Sequence, residues 1–140
     1  MAGHLEVAAF LEEGYRCTIP IRQFVLTADE PPAAGGGDRG PMPTELLLAS
    51  LASCFTMAMA HVARKEGVAL PDLAVRVRGE YEGMRFARIR VEVDAGLSDR
   101  ERLRRLVERA VRYCYVSNTL MTGPQLSFGL GDEAPAPLNP

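Results

Sequence analysis

The sequence predicts an α+β protein in which antiparallel sheets pack around one long, central, apolar helix. A run without a charged side chain extends from Leu46 to Ala63. Pairs of segments with alternating apolar and polar residues flank this run, which is typical of half-buried antiparallel strands. The 140 residues are 47% hydrophobic and 24% charged, which suits a globular protein with one core. We therefore predict a single domain over residues 1–132, followed by a flexible tail at 133–140.

The first third of the chain predicts two strands and a long loop. Residues 4–12 form a candidate first strand, and residues 15–27 alternate in a way that predicts a second. Pro20 inside the second run indicates a free edge or a bulge, because proline cannot donate to a sheet ladder. Residues 29–43 are rich in proline and glycine and predict an irregular loop that leads into the central helix.

The central helix has recognisable ends. Pro43 and Thr44 suit a helix N-terminus, and Gly67 suits the position just beyond a C-terminus. About 22 residues at 1.5 Å per residue make a rod of roughly 33 Å. A helix that is apolar on every side has to be buried on every side. A chain of this length can hardly cover such a helix alone, so we predict a dimer.

The same apolar run reaches the lower length limit for a membrane span. Ser50, Ser53, Thr56 and His61 dilute it, and neither an arginine cluster nor an aromatic belt flanks it. We therefore favour a core helix and predict no association with a membrane.

The second half of the chain predicts a hairpin, a helix and a last strand. Residues 73–78 and 87–94 alternate on either side of a turn at Glu82-Gly83. Residues 98–101 match a capping box, which predicts the start of the next helix. The apolar face of that helix comprises Leu103, Leu106, Val107, Ala110, Val111 and Cys114. Residues 117–118 end or restart the helix, and residues 125–130 form a candidate strand.

Composition argues against several classes of function. The net charge of −2 gives no attraction for nucleic acid, and the arginines of the second helix alternate with glutamates. His4 and His61 form no metal-type spacing with the cysteines, so no metal site is predicted. The N-terminus shows no basic segment followed by an apolar one, which favours a cytoplasmic protein whose thiols are kept reduced.

The cysteines are the candidate chemistry. Cys54 and Cys114 each fall on the inward face of a predicted helix, and packed helices can bring such residues within disulfide range. A buried cysteine is more often a small hydrophobic residue, so both interpretations stay open from the residues alone. A reactive Cys54 thiolate would need a cation from another element, because its own helix offers none nearby. By chain position that cation is an arginine, and the candidates are Arg16, Arg22 and Arg39. Cys17 shares a strand face with apolar residues and is predicted to be structural.

Two motifs resemble those of a known family. The segment GGDRGPMPTELLLASLASC, residues 36–54, is similar to the glycine-rich loop and helix start of the OsmC/Ohr family. The segment CYVSNTL, residues 114–120, resembles that family's second-cysteine motif, which is typically Cys-Pro-x-Ser-Asn. The resemblance extends from about residue 5 to about residue 130. It implies the OsmC-like fold, an intertwined homodimer with its sites at the subunit interface.

The resemblance also implies an activity, that of a thiol peroxidase acting on organic hydroperoxides. By analogy, Cys54 is the peroxidatic thiolate and becomes a sulfenic acid, and Cys114 then forms a disulfide with it. An external dithiol restores the pair, and no metal or organic cofactor is needed.

The family also uses an arginine and a glutamate. Arg16 corresponds to the arginine by chain order, with Arg22 as second choice. The aligned glutamate position is Thr44, and Glu45 follows one residue later, which rotates a helical side chain by about 100°. Glu45 is therefore either a catalytic residue or a residue that only favours the helix N-terminus through its dipole. Tyr115 replaces the usual proline after the second cysteine.

A second function remains open. The displaced glutamate and a methionine-rich wall that includes Met57 and Met59 also fit a non-catalytic dimer that binds a small apolar ligand.

Overall fold

The structure is a computed structural model that describes residues 3–131 and the backbone of Ala136–Pro137. The chain divides into two compact units, residues 1–50 and residues 51–140. The single domain over residues 1–132 stays a prediction. The predicted flexible tail, residues 133–140, lies outside the described residues apart from the backbone at 136–137.

A three-stranded antiparallel sheet occupies the first unit. Its strands are β1 (Phe10–Leu11), β2 (Cys17–Ile21) and β3 (Phe24–Ala28), in the order β1-β2-β3. The single long strand predicted over residues 15–27 is therefore wrong, and so is the length of the first strand. A two-residue turn separates β2 from β3, and Arg22 adopts a left-handed φ of 54° there. Its sequence lacks the glycine or asparagine that usually signals such a turn.

The loop after β3 is irregular, as predicted, with one short 3-10 helix at Pro32–Ala34. The side chain of Asp29 holds this loop in place through hydrogen bonds, and only 3% of the residue is exposed. Asp29 accepts hydrogen bonds from the backbone N–H groups of Glu30 at 2.8 Å and Arg39 at 3.1 Å. The N–H of Arg39 lowers the pKa of this carboxyl most, and those of Glu30 and Gly37 and the charge of Arg16 also lower it, while burial opposes them.

The long apolar helix, α1, spans Pro43–Glu66, and Gly67 follows it with a left-handed φ of 66°. Its predicted boundaries are confirmed to within one residue. The buried side chains of α1 are Leu51, Phe55, Ala58, Met59, Val62 and Ala63. The other face is open in the single chain, where Met57 is 70% exposed, so burial on every side is not observed. By length and hydropathy α1 would suffice to cross a membrane, a property that core helices share.

The second unit contains the predicted hairpin, formed by β4 (Ala74–Glu82) and β5 (Arg85–Asp94) around Gly83. Alternate residues of both strands are half-buried, and opposite charges pair across the outer face. Arg76 pairs with Asp94 in this way, and Arg88 pairs with Glu80 at 2.8 Å.

Two helices follow the hairpin, α2 (Arg100–Val111) and α3 (Tyr115–Thr122). Asp99, and not Ser98, caps α2, because its side chain accepts from the N–H of Arg102. The buried residues of α2 are Leu103, Leu106 and Ala110, and they form one core cluster with the inward face of α1. The last strands, β6 (Ser127–Phe128) and β7 (Ala136–Pro137), pair with each other.

Candidate active site

The fold brings Cys54 and Cys114 together. Cys54 lies on α1 within the second unit and is partly buried, whereas Cys114 has no exposed surface. Both thiols are free, Cys54 packs against the core cluster that contains Cys114, and it lies near enough to act on the ionisation of the Cys114 thiol. Cysteines packed in one cluster can form a disulfide where their Cα atoms lie roughly 4.4–6.8 Å apart. The convergence of the two thiols is thus a property of the structure, and their catalytic roles stay predictions.

Cys114 lies in the turn between α2 and α3 and not on the apolar face of α2, so that part of the prediction is wrong. It is the N-cap residue of α3, and its sulfur accepts a hydrogen bond from the N–H of Ser117 at 3.4 Å. The hydroxyl of Ser117 donates to the carbonyl oxygen of Cys114 at 3.2 Å and lies near enough to the sulfur to act on its pKa.

These contacts determine the protonation of Cys114. Burial acts to raise the pKa of this thiol, because a low dielectric disfavours the thiolate. Hydrogen bonds from the hydroxyl and the N–H of Ser117, the thiol of Cys54 and the N–H of Val116 outweigh burial. The net result is a Cys114 pKa below its ordinary value. Helix N-termini lower cysteine pKa values in the same way in other proteins.

The three candidate arginines all belong to residues 1–50, and the structure gives each a local role. Arg16 precedes β2, and its charge acts on the carboxylate of Asp29. Arg22 stands in the β2–β3 turn, where its guanidinium lies 5.2 Å from the ring centre of Phe24. Arg39 contributes its backbone N–H to Asp29, and its side chain is exposed. The assignment of Arg16 to Cys54 stays a prediction.

Glu45 lies exposed in the first turn of α1. Its carboxylate accepts a hydrogen bond from the backbone N–H of Met42 at 2.9 Å, which is the glutamate half of a capping box. This contact agrees with the helix-terminus interpretation of Glu45. A catalytic role for its carboxylate stays a prediction.

An apolar cavity of about 550 Å³ is lined by sequence neighbours of both cysteines, although neither cysteine lines it. Leu51, one turn before Cys54, and Phe55, directly after it, form one wall. Ser117, which contacts Cys114, forms part of another. The remaining lining residues are Phe86, Ala87, Ile89, Val91, Val93, Val107, Val111, Leu120 and Met121. Cavities of this size and polarity typically accept small apolar molecules.

Two other kinds of candidate site are a metal site and the third cysteine. Within the described part of the chain, no group of three or more His, Cys, Asp and Glu side chains is placed to hold a metal ion. The thiol of Cys17 donates to the carbonyl oxygen of Tyr15 at 3.6 Å, in the turn before β2.

Sequence reasoning missed the roles of two residues, one at the thiol pair and one in the loop of the first unit. The sequence predicts Ser117 only as a helix cap. The available signal was its position three residues after Cys114, because the N–H at that position donates to the side chain of an N-cap residue. Asp29 is predicted only as part of a loop. An aspartate between a strand and a glycine-rich loop was the available signal, because such side chains often accept loop N–H groups.

The fold and the thiol pair define a class of protein, and comparisons agree. The model of the family "OsmC-like protein" matches residues 35–128. The chain therefore belongs to the OsmC-like protein family. No curated protein matches the sequence significantly.

Several solved structures share the fold. An OsmC-like protein from Mycoplasma pneumoniae is 22% identical, with a TM-score of 0.71 over 88% of this chain and 91% of that chain. An organic hydroperoxide resistance protein from Legionella pneumophila is 19% identical, with a TM-score of 0.64 over 86% and 90%. A Vibrio cholerae protein, a candidate organic hydroperoxide resistance protein with captopril in one active site, is 26% identical, with a TM-score of 0.60 over 88% and 89%.

Proposed function

We propose that this protein is a thiol-dependent peroxidase that reduces organic hydroperoxides to alcohols. The observation that carries the proposal is the proximity of two free thiols whose sequence neighbours line an apolar cavity. Similar structures from Legionella pneumophila and Vibrio cholerae bear names that refer to organic hydroperoxide resistance, which supports the same chemistry here.

The proposed reaction begins at Cys54, the more accessible thiol. Its thiolate attacks the terminal oxygen of the hydroperoxide, the O–O bond breaks, and the alcohol leaves with a proton. Cys54 is then a sulfenic acid. The thiolate of Cys114 attacks the Cys54 sulfur, hydroxide leaves and takes a proton to form water, and a Cys54–Cys114 disulfide results. An external dithiol reduces that disulfide and restores both thiols.

The protein residues around the pair support these steps. The cavity lined by Leu51 and Phe55 favours a substrate with an apolar body over hydrogen peroxide, because apolar surface is buried on binding. Arg16 is the proposed cation that stabilises the Cys54 thiolate. Glu45 is the proposed partner that orients this arginine, with capping of α1 as its alternative role.

We further propose a cytoplasmic homodimer as the working form. The open face of α1 includes Met57 at 70% exposure and Leu47 at 39% exposure. A second copy that covers this face would remove apolar surface from water, which is the dominant favourable contribution to association.

The test is consumption of cumene hydroperoxide with dithiothreitol as the reductant. Cys54→Ser should abolish turnover, whereas Cys17→Ser, the matched cysteine control, should leave it unchanged. Cys114→Ser should still reduce one equivalent of peroxide but form no intramolecular disulfide. A Cys54→Ser variant as active as the wild type would refute the proposal.

The cavity also favours a second candidate function, the binding of a small apolar ligand without catalysis. In that case the Cys54 thiol should be indifferent to peroxide, and Cys54→Ser should bind an apolar fluorescent probe as tightly as the wild type. Rapid oxidation of Cys54 by a stoichiometric amount of cumene hydroperoxide would exclude this alternative.

A further inference from the structure

The two thiols differ in accessibility and surroundings, and this difference bears on how an oxidised pair is reduced. Cys54 is partly exposed, whereas Cys114 has no exposed surface. Within one chain an external thiol therefore reaches the sulfur of Cys54 and not that of Cys114, and the proposed dimer has to leave an entry to Cys54, because disulfide exchange requires direct access to the attacked sulfur.

The surroundings of Cys114 also favour attack of the reductant at Cys54, with Cys114 as the leaving group. Its sulfur accepts a hydrogen bond from the N–H of Ser117 at the N-terminus of α3, and the hydroxyl of Ser117, which donates to the carbonyl oxygen of Cys114, can rotate toward the sulfur. These donors belong to the backbone and side chain of a helix that is already in place, so they are available when the sulfur gains negative charge. A stabilised thiolate is the better leaving group in thiol–disulfide exchange.

Resting on the proposed function, we propose that reduction of the Cys54–Cys114 disulfide is directional, with Cys54 as the attacked sulfur and Cys114 as the leaving thiolate held by Ser117. Ser117 is then a positioning residue, since it acts on the reaction through Cys114.

The chemical steps balance. The thiolate of a dithiol attacks the Cys54 sulfur, a new S–S bond forms, and the bond to Cys114 breaks with the electron pair going to Cys114. The second thiol of the reductant, as thiolate, then attacks the reductant's own sulfur in the mixed disulfide. Cys54 leaves as a thiolate and the reductant closes into a cyclic disulfide. The dithiol loses two electrons, and the protein disulfide gains them.

The experiment requires no peroxide. The full chain is oxidised with diamide, mixed briefly with the monothiol 2-mercaptoethanol, and quenched in acid, and the adduct is mapped by peptide mass spectrometry. The adduct is expected on Cys54 in roughly tenfold or greater excess. An adduct mainly on Cys114, or shared equally, overturns the proposal.

Variants on α3 test the part played by Ser117. Ser117→Ala keeps the N–H but should slow reduction of the disulfide by about threefold, because the hydroxyl that can rotate toward the leaving thiolate is lost. Ser117→Thr, which keeps the hydroxyl, should restore the rate. Thr119→Ala is the matched control, since Thr119 donates to Tyr115 and its loss removes a hydroxyl from α3 away from the thiols. An unchanged rate in Ser117→Ala overturns the role of Ser117.

The outcomes separate this inference from the proposed function. If diamide forms no Cys54–Cys114 disulfide, both fail. If the adduct forms on Cys54 but the protein consumes no hydroperoxide, the peroxidase proposal fails and the directional reduction stands.

Discussion

Oxidation of the thiol pair should stabilise the protein, and the expected gain in unfolding free energy follows from the number of residues between the two cysteines. A Cys54–Cys114 disulfide closes a loop of about 60 residues, for which the chain-entropy relation predicts roughly 4 kcal/mol at 25 °C. The two cysteines already pack in one core cluster in the reduced protein, so we expect the disulfide to need little rearrangement of the native state. With a urea m-value of about 2 kcal/mol/M, the unfolding midpoint should rise by about 2 M.

The assay is urea unfolding of diamide-oxidised and reduced protein at one protein concentration, because association alone shifts apparent stability. Cys54→Ser cannot form the disulfide and should unfold at the same midpoint under both conditions. An oxidised wild type that is no more stable than the reduced form would refute the inference that the two sulfurs meet. The same conclusion would follow if the redox-dependent shift persisted in Cys54→Ser.

Four further substitutions test other contacts. Asp29→Asn should destabilise the protein at neutral pH. Because folding lowers the pKa of the Asp29 carboxyl, its stabilising effect is present above about pH 4 and is lost as the pH falls further. The melting temperatures of wild type and variant should therefore converge in acid and not in base. Glu45→Gln keeps an acceptor for the N–H of Met42 and should preserve stability, so a large loss of peroxidase activity in this variant would reveal a catalytic carboxylate, and full activity would leave only the cap. Gly36→Ala should lower the melting temperature, because a Cβ there would lie 1.9 Å from the carbonyl oxygen of Glu30, whereas Gly131→Ala, with open space around it, should be neutral. Leu106→Ala removes a fully buried side chain and should cost about 2–5 kcal/mol in urea unfolding, and a cost below 1 kcal/mol would contradict its place in the core.

Local signals made much of the fold predictable. Pro43 and Gly67 define the ends of α1, because proline suits a first helical turn and glycine tolerates the left-handed backbone that follows a helix. The β4–β5 hairpin was predictable because alternate residues point to opposite sides of a strand. The family was recognisable because both cysteine motifs occur in order, and the match over residues 35–128 confirms it.

Other features depend on contacts that no local pattern records. The β2–β3 turn uses Arg22 in a left-handed conformation that its residue type does not signal. The end of α2 before Cys114 carries no glycine or proline, so the apolar spacing alone continued the helix through it. The exposure of Met57 depends on how much of α1 one chain covers. For the candidate site, the sequence allowed the two thiols to meet but did not require it. The contribution of Ser117 depends on the backbone conformation at the start of α3, which the sequence pattern does not specify.

Ser117 has a double position, with one side in the cavity wall and the other on the sulfur of Cys114. We therefore expect occupancy of the cavity to be linked to the redox state of the pair if a bound molecule changes the contacts of this side chain. By reciprocity, any molecule that binds more tightly when the thiols are reduced must shift the dithiol–disulfide equilibrium toward the reduced form by the same factor. An apolar compound that resides there would thus act as an effector of the electron balance without being consumed.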